Sequence, residues 1–163
     1  MMRVGFSKDV HPLEEGEPFI LGGVKIDHEK GPVGYSDGDC LMHAIAESIL
    51  GAVGLGDLGR FFPDDDPKYK DYDSSLILEE VINYVTSKGY HIANLDTMIS
   101  LEKPKLRPYV KKIRERIANI LDIDEKRISI KATTFEGLGI VGEGKAIICE
   151  AIVLVENDVF MML

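Results

Sequence analysis

The residues best suited to chemistry fall in three short stretches. Asp39, His43 and Glu47 stand four residues apart, so on a helix they form a single polar stripe. The rest of residues 40–54 is apolar nearly all round, which marks a helix buried in the subunit or in an interface. Two acids and an imidazole in such a place cost stability unless they are paired or hold a metal. Asp9 and His11 form an Asp-x-His that a strand would project to one side, with Val10 turned the other way. Asp9, His11 and His43 are then three N/O ligands from two elements, a set that leaves one coordination position open, as at catalytic zinc. Glu47, one turn beyond His43, is placed to hold the second ring nitrogen as an outer carboxylate. Taken singly, a satisfied core histidine and a surface turn before Pro12 are the commoner explanations. The third stretch is Lys131-Ala132-Thr133-Thr134-Phe135-Glu136-Gly137-Leu138-Gly139. Two hydroxyls, a carboxylate and glycines at a strand end suit phosphate oxygens and Mg²⁺, although a plain Gly-rich turn has the same spelling.

The elements that must position these residues can be read from periodicity. Residues 3–11 read as a strand, and Phe19-Ile20-Leu21, Gly22-Gly23, Val24-Lys25-Ile26 as a hairpin with a primed two-residue turn. Residues 27–34 read as a polar loop. Ser36, Asp37 and Asp39 carry capping side chains for the helix that follows. Residues 57–62 form at most one short turn, and 63–74 an acidic loop. Ser74 or Ser75 caps a helix running to about residue 88, with Gly89 past its end. Residues 90–101 read as a strand, and Pro108 fits the first turn of a helix with Val110, Ile113 and Ile117 on its buried side. Residues 128–134 and 146–155 complete the strands, with the Gly-rich segment 135–145 between them. The expected fold class is α+β: a single domain over residues 1–163, with a sheet of about four main strands plus the small hairpin and helices packed on one face.

Composition narrows the function. A chain of 163 residues suits one sizeable core. A formal charge of −9 argues against binding nucleic acid or an anionic membrane, since no basic excess exists to meet phosphates over a large surface. A small phosphorylated ligand held by metals and backbone amides stays open. Cys40 and Cys149 have no disulfide spacing, which points to a reducing, cytoplasmic setting. No signal peptide and no membrane span is visible.

The order and spacing of several motifs resemble the 2-C-methyl-D-erythritol 2,4-cyclodiphosphate synthase family. The resemblance runs over nearly the whole length. It rests on Asp9-Val10-His11, Leu21-Gly22-Gly23-Val24, Ser36-Asp37-Gly38-Asp39 with His43-Ala44, and Gly56-Asp57-Leu58-Gly59. It continues through Phe62-Pro63-Asp64, Asp66-Pro67, Asp73-Ser74, Lys103-Pro104-Lys105-Leu106 with Pro108, and Lys131-Ala132-Thr133-Thr134 with Glu136 and Leu138-Gly139. The resemblance implies zinc at Asp9, His11 and His43, and a second divalent ion, Mg²⁺ or Mn²⁺, at Glu136. It implies a pocket for the methylerythritol phosphate end from Asp57, Leu58, Gly59, Phe62, Pro63, Asp64, Asp65 and Asp66, and further substrate contacts from Asp9, Val10, His11, Tyr35 and Ser36. It implies a cytidine pocket from Ser100, Leu101, Lys105, Leu106, Ala132, Thr133, Thr134, Phe135 and Glu136. Thr134 matches a threonine that stabilises the transition state. The implied assembly is a homotrimer around a central channel with sites between subunits. The implied reaction is a phosphorus–oxygen lyase step: intramolecular phosphoryl transfer in 4-diphosphocytidyl-2-C-methyl-D-erythritol 2-phosphate, with release of CMP.

Three departures from the family's pattern stand out. Tyr35 occupies the position of a catalytic histidine and can donate a hydrogen bond without carrying charge near neutrality. Ser7 and Lys8 precede the Asp-x-His in place of a small and an aromatic residue. Glu143, a substrate-binding candidate together with Ile140, replaces an arginine near the channel mouth and would repel an isoprenoid diphosphate unless Lys8 lies close enough to offset it. Two other functions fit the same residues: a metal-dependent phosphohydrolase, and a weakly active trimeric binding protein.

Overall fold

The computed structural model describes residues 1–157. The first strand, β1 (Met2–Glu15), is long and strictly alternating. Gly5, Ser7, Asp9, His11 and Leu13 turn inward, while Met2, Val4, Phe6, Lys8 and Val10 face out. A hairpin follows, β2 (Ile20–Leu21) and β3 (Val24–Lys25), closed by Gly22 and Gly23 at φ +58° and +69°. Both values lie in the left-handed region that a primed turn requires and that glycine enters without strain. β4 (Lys30–Pro32) adds an edge strand to β1 inside the stretch expected to be loop. Its three residues carry too little pattern to be told from a turn.

Helix α1 (Cys40–Ala52) lies between the sheet and α2 (Ser74–Ser87), against β1 and β7. Burial on all sides therefore arises within one chain, so no subunit contact is needed to account for its apolar composition. Two 3₁₀ turns, Leu58–Arg60 and Pro67–Tyr69, punctuate the acidic loop. Asp73, rather than Ser74 or Ser75, caps α2, accepting from Ser75 N–H at 2.8 Å. β5 (Tyr90–Ser100), α3 (Val110–Leu121) and β6 (Ile128–Thr133) form a parallel crossover unit, with Pro108 just ahead of α3 rather than in its first turn. A short helix, α4 (Gly139–Gly142), occupies the Gly-rich segment, where glycines had masked it. β7 (Ala146–Asn157) then inserts antiparallel between β1 and β5.

The main sheet runs β4-β1-β7-β5-β6, with only the β5–β6 pair parallel. One face carries the helices and a core that includes Leu41, Ile45, Ile49, Leu78, Ile99, Ile113 and Val153. On the other face Val4, Phe6, Val10 and Ile152 remain 67, 59, 46 and 48% exposed. Near the middle of that apolar surface Lys8 pairs with the cross-strand Glu150 at 3.0 Å. Among the described residues, no helix is long and apolar enough to cross a membrane.

Candidate active site

The alternation of β1 sends Asp9 and His11 toward α1, and one turn into that helix His43 comes down to meet them. Asp9 Oδ2 lies 2.7 Å from His11 Nε2 and 3.2 Å from His43 Nδ1, and the two ring nitrogens are 3.3 Å apart. All three side chains are largely buried. The Asp-x-His and the helical histidine thus converge as a group able to hold a metal ion, as their types had suggested.

Hydrogen bonds behind the rings orient both of them, and for His11 they fix where the proton sits. His11 Nδ1 is 2.6 Å from the Val33 carbonyl, which can only accept, so Nδ1 carries the hydrogen and Nε2 turns its lone pair to the cluster. Gly34 makes this approach possible: a Cβ there would sit 2.9 Å from His11 Cε1. On the far side of His43, Nε2 meets Ser74 Oγ at 2.8 Å and Ser36 Oγ at 2.9 Å. Asp9 Oδ2, His11 Nε2 and His43 Nδ1 are aimed at one point, where a proton or a cation relieves the repulsion between lone pairs. Burial alone would raise the Asp9 carboxyl pKa, but hydrogen bonds from His11 and His43 and their charges outweigh it and hold Asp9 well below its usual range. Burial by itself would lower His11, yet the Asp9 bond and charge win and raise it. The proton shared by these groups lies at the spot that a cation would fill.

Glu47 does not fill the role expected of it. Its carboxylate accepts from Ser7 O–H at 2.5 Å and from Leu58 N–H at 3.2 Å, so it ties β1 to the turn at Leu58–Arg60 instead of holding His43. Ser74 packs on His43 in its place, although the sequence marks it only as a helix-start residue and as part of the Asp73-Ser74 motif. Asp39 is fully buried and accepts from Gly22, Gly23 and Met42 N–H, which confirms it as a shaping residue of the helix start.

The remaining predicted residues fall in two neighbourhoods. Leu101, Lys105, Leu106, Ala132, Thr133 and Thr134 line one cavity of about 220 Å³, with Glu102 as an added wall. Ser100 pairs with Thr133 across the parallel strands, and Phe135 N–H donates to Glu102 at 3.1 Å. Thr134 O–H donates to Glu136 Oε1 at 2.7 Å, with Glu136 itself at φ +52°. Tyr35 and Ser36 lie beside the acidic loop: the Tyr35 phenol donates to the Asp66 carbonyl at 3.2 Å, and Asp71 N–H to the Tyr35 carbonyl at 2.9 Å. Asp57 caps the turn containing Leu58 and Gly59 through Arg60 N–H, and Phe62, Pro63, Asp64 and Asp65 follow it. Val10 points to the helix-free face, away from Asp9 and His11. Ile140 lies in α4, and Glu143 just past it pairs with Lys145 at 2.5 Å, while Lys8 is engaged by Glu150.

Fold and cluster together define an α+β protein with a site able to bind a metal ion. The chain belongs to the YgbB family, whose model matches residues 2–156. It is 52% identical over 153 residues to the 2-C-methyl-D-erythritol 2,4-cyclodiphosphate synthase of Clostridium acetobutylicum, covering 94% of this chain and 99% of the relative. It is 49% identical to the Moorella thermoacetica protein of that name, covering 94% of both. Among solved structures it superposes on a 2C-methyl-D-erythritol-2,4-cyclodiphosphate synthase with TM-score 0.88 at 34% identity, covering 94% of this chain and all of that one. The CDP complex of Plasmodium falciparum IspF gives TM-score 0.84 at 36% identity, covering 96% of each chain. The bifunctional IspDF of Campylobacter jejuni gives 0.92 at 36% identity; there the match covers 96% of this chain but only 42% of the larger protein.

Proposed function

We propose that the chain converts 4-diphosphocytidyl-2-C-methyl-D-erythritol 2-phosphate into 2-C-methyl-D-erythritol 2,4-cyclodiphosphate and CMP. The observation that carries this reading is the convergence of Asp9, His11 and His43 on one point, in a chain similar end to end to synthases of that name. An oxygen of the 2-phosphate bonds to the β-phosphorus, the bond from that phosphorus to the bridging oxygen breaks, and CMP leaves with the electron pair. No redox change and no water are involved, so the protein's task is positioning and charge stabilisation.

The cluster fits zinc. Two of its three ligand separations, 3.2 and 3.3 Å, match the ~3.3 Å edge of a tetrahedron with bonds of ~2.0–2.1 Å. Zinc held there supplies Lewis-acid charge to the substrate's phosphate oxygens. Glu136, whose carboxylate accepts from the Thr134 hydroxyl, would hold a second divalent ion, Mg²⁺ or Mn²⁺, which would add positive charge for the substrate diphosphate.

The cavity between Leu101 and Thr134 takes the cytidine end, where backbone groups of residues 100–106 and 132–136 read the base. Tyr35, Ser36 and the loop carrying Asp57 and Asp64–Asp66 take the methylerythritol phosphate end. With substrate bound, the Thr134 hydroxyl turns from Glu136 to donate to the transferring phosphoryl group. Tyr35 positions without adding positive charge. The chain works as one domain in the reducing cytoplasm, where Cys40 and Cys149 stay free thiols. The exposed apolar face of Val4, Phe6, Val10 and Ile152 suits burial between copies in a homotrimer, with sites completed at the subunit boundaries. Neither Lys8 nor Glu143 offers an unpaired charge to an isoprenoid diphosphate in a central channel.

The test is incubation of the full chain with that substrate, Zn²⁺ and Mg²⁺, followed by a mass spectrum. A cyclic diphosphate with one CMP per turnover is expected. A product heavier by one water would assign a phosphohydrolase instead, and binding without CMP release a binding protein.

A further inference from the structure

His43 is held from behind by a residue that belongs to a different helix and has its own anchor. Ser74 Oγ lies 2.5 Å from Asp37 Oδ1, and Ser74 N–H donates to Asp37 Oδ2 at 3.0 Å. The carboxylate only accepts, so the Ser74 hydroxyl hydrogen points at Asp37. Ser74 Oγ is then left with lone pairs alone on the side facing His43, 2.8 Å from Nε2. That contact is favourable only if Nε2 carries the hydrogen, which places the His43 lone pair on Nδ1, facing Asp9 and His11. Ser36 Oγ, 2.9 Å from the same nitrogen, bonds no carboxylate among the described residues and accommodates either tautomer.

We propose that Ser74, oriented by Asp37, is the positioning residue that fixes the tautomer and ring direction of His43 for metal binding. This rests on reading Asp9, His11 and His43 as a metal site. It moves the outer support of the cluster from α1, where Glu47 stands, to the first turn of α2. Asp37 N–H also donates to the Tyr72 carbonyl at 3.1 Å, so the loop before α1, the loop before α2 and the ligand ring form one hydrogen-bonded unit. Ring supports of this kind commonly change metal affinity ~10–100-fold when removed.

Two measurements on the full chain test it. Zinc alone, titrated into metal-free protein against a competing chelator, should bind wild type and bind Ser74→Ala and Asp37→Asn ~10–100-fold more weakly. Long-range ¹H–¹⁵N spectra of the metal-free protein at alkaline pH should show His43 as the Nε2–H tautomer in wild type and in Ser36→Ala, and as a mixture in Ser74→Ala. Circular dichroism checks folding, and Asp37→Asn carries the test if Ser74→Ala does not fold. Wild-type affinity and tautomer in both Asp37→Asn and Ser74→Ala would overturn the inference alone. Failure of wild type to bind zinc would overturn the metal reading, and the inference with it.

Discussion

Asp39 and Gly23, sixteen residues apart, are joined inside the core by a 2.7 Å hydrogen bond from the glycine N–H to Oδ2. The same carboxylate takes Gly22 N–H at 2.9 Å and Met42 N–H at 3.0 Å, so one fully buried acid both caps α1 and pins the hairpin to it. Burial pushes its pKa up, and the three N–H groups pull against that. Asp39→Ala would leave two buried donors and a partly buried one without partners, each buried one costing ~1–3 kcal/mol. We expect a loss of at least ~2 kcal/mol, seen as a lower urea midpoint with an unchanged slope. A midpoint equal to wild type would show that the pin carries no stability.

The Asp9–His11 pair sets how the metal-free protein responds to pH. His11 has a raised folded pKa, so its contribution is fully present below its ordinary 6.5 and is lost as pH rises through the raised value. Asp9 has a lowered one, so its contribution is present above 3.8 and is lost only as pH falls through the depressed value. The metal-free chain should therefore lose thermal stability as pH climbs past the histidine range. Zinc should restore it there, because cation and proton compete for the same lone pairs. Melting curves with and without chelator across that range provide the check, and parallel curves would contradict it.

Glu47 links Ser7 to Leu58 N–H, placing the turn that carries Asp57, Leu58 and Gly59 relative to β1. Removing a charged acceptor of this kind costs ~1.5–3 kcal/mol. For Glu47→Ala we predict a KM for the cytidylylated substrate raised about tenfold or more with zinc stoichiometry unchanged, since the carboxylate does not touch His43. Loss of zinc with no change in KM would return Glu47 to the cluster.

Phe6 is 59% exposed amid other apolar side chains on the helix-free face. If that face is buried between copies, Phe6→Glu places three like charges together and should reduce a trimer to monomers. Light scattering after size exclusion reads the mass directly. A wild-type monomer, or a variant still trimeric, would remove that face from the assembly.

How much of this could be read from residues alone varied with the range of the interaction. Asp9 and His11 were visible as a pair because strand alternation is local, and His43 because it lay on a strongly patterned helix. Asp39 was correctly read as a shaper of the helix start, since capping chemistry is written within four residues. Glu47 was misassigned because helix geometry placed it one turn from His43, and that proximity gave no hint that Ser7 and Leu58 would claim its oxygens. Ser74 was missed as the ring's support for the converse reason. Its contact with His43 spans 31 residues and depends on how α2 packs, which no periodicity encodes. β4 and α4 escaped because three or four residues rich in Gly and Pro carry no period.

The alternation of β1 has a consequence for how such a chain can change over time. Asp9 and His11 occupy one parity of the strand, and Val4, Phe6 and Val10 the other. A point substitution alters one face and leaves its opposite intact. Inserting or deleting a single residue ahead of Asp9 would exchange the two faces at once, burying Phe6 and turning the acid and imidazole out of the cluster. The strand can drift in composition but not in length, so gaps in this segment should be purged where substitutions on its outer face are kept.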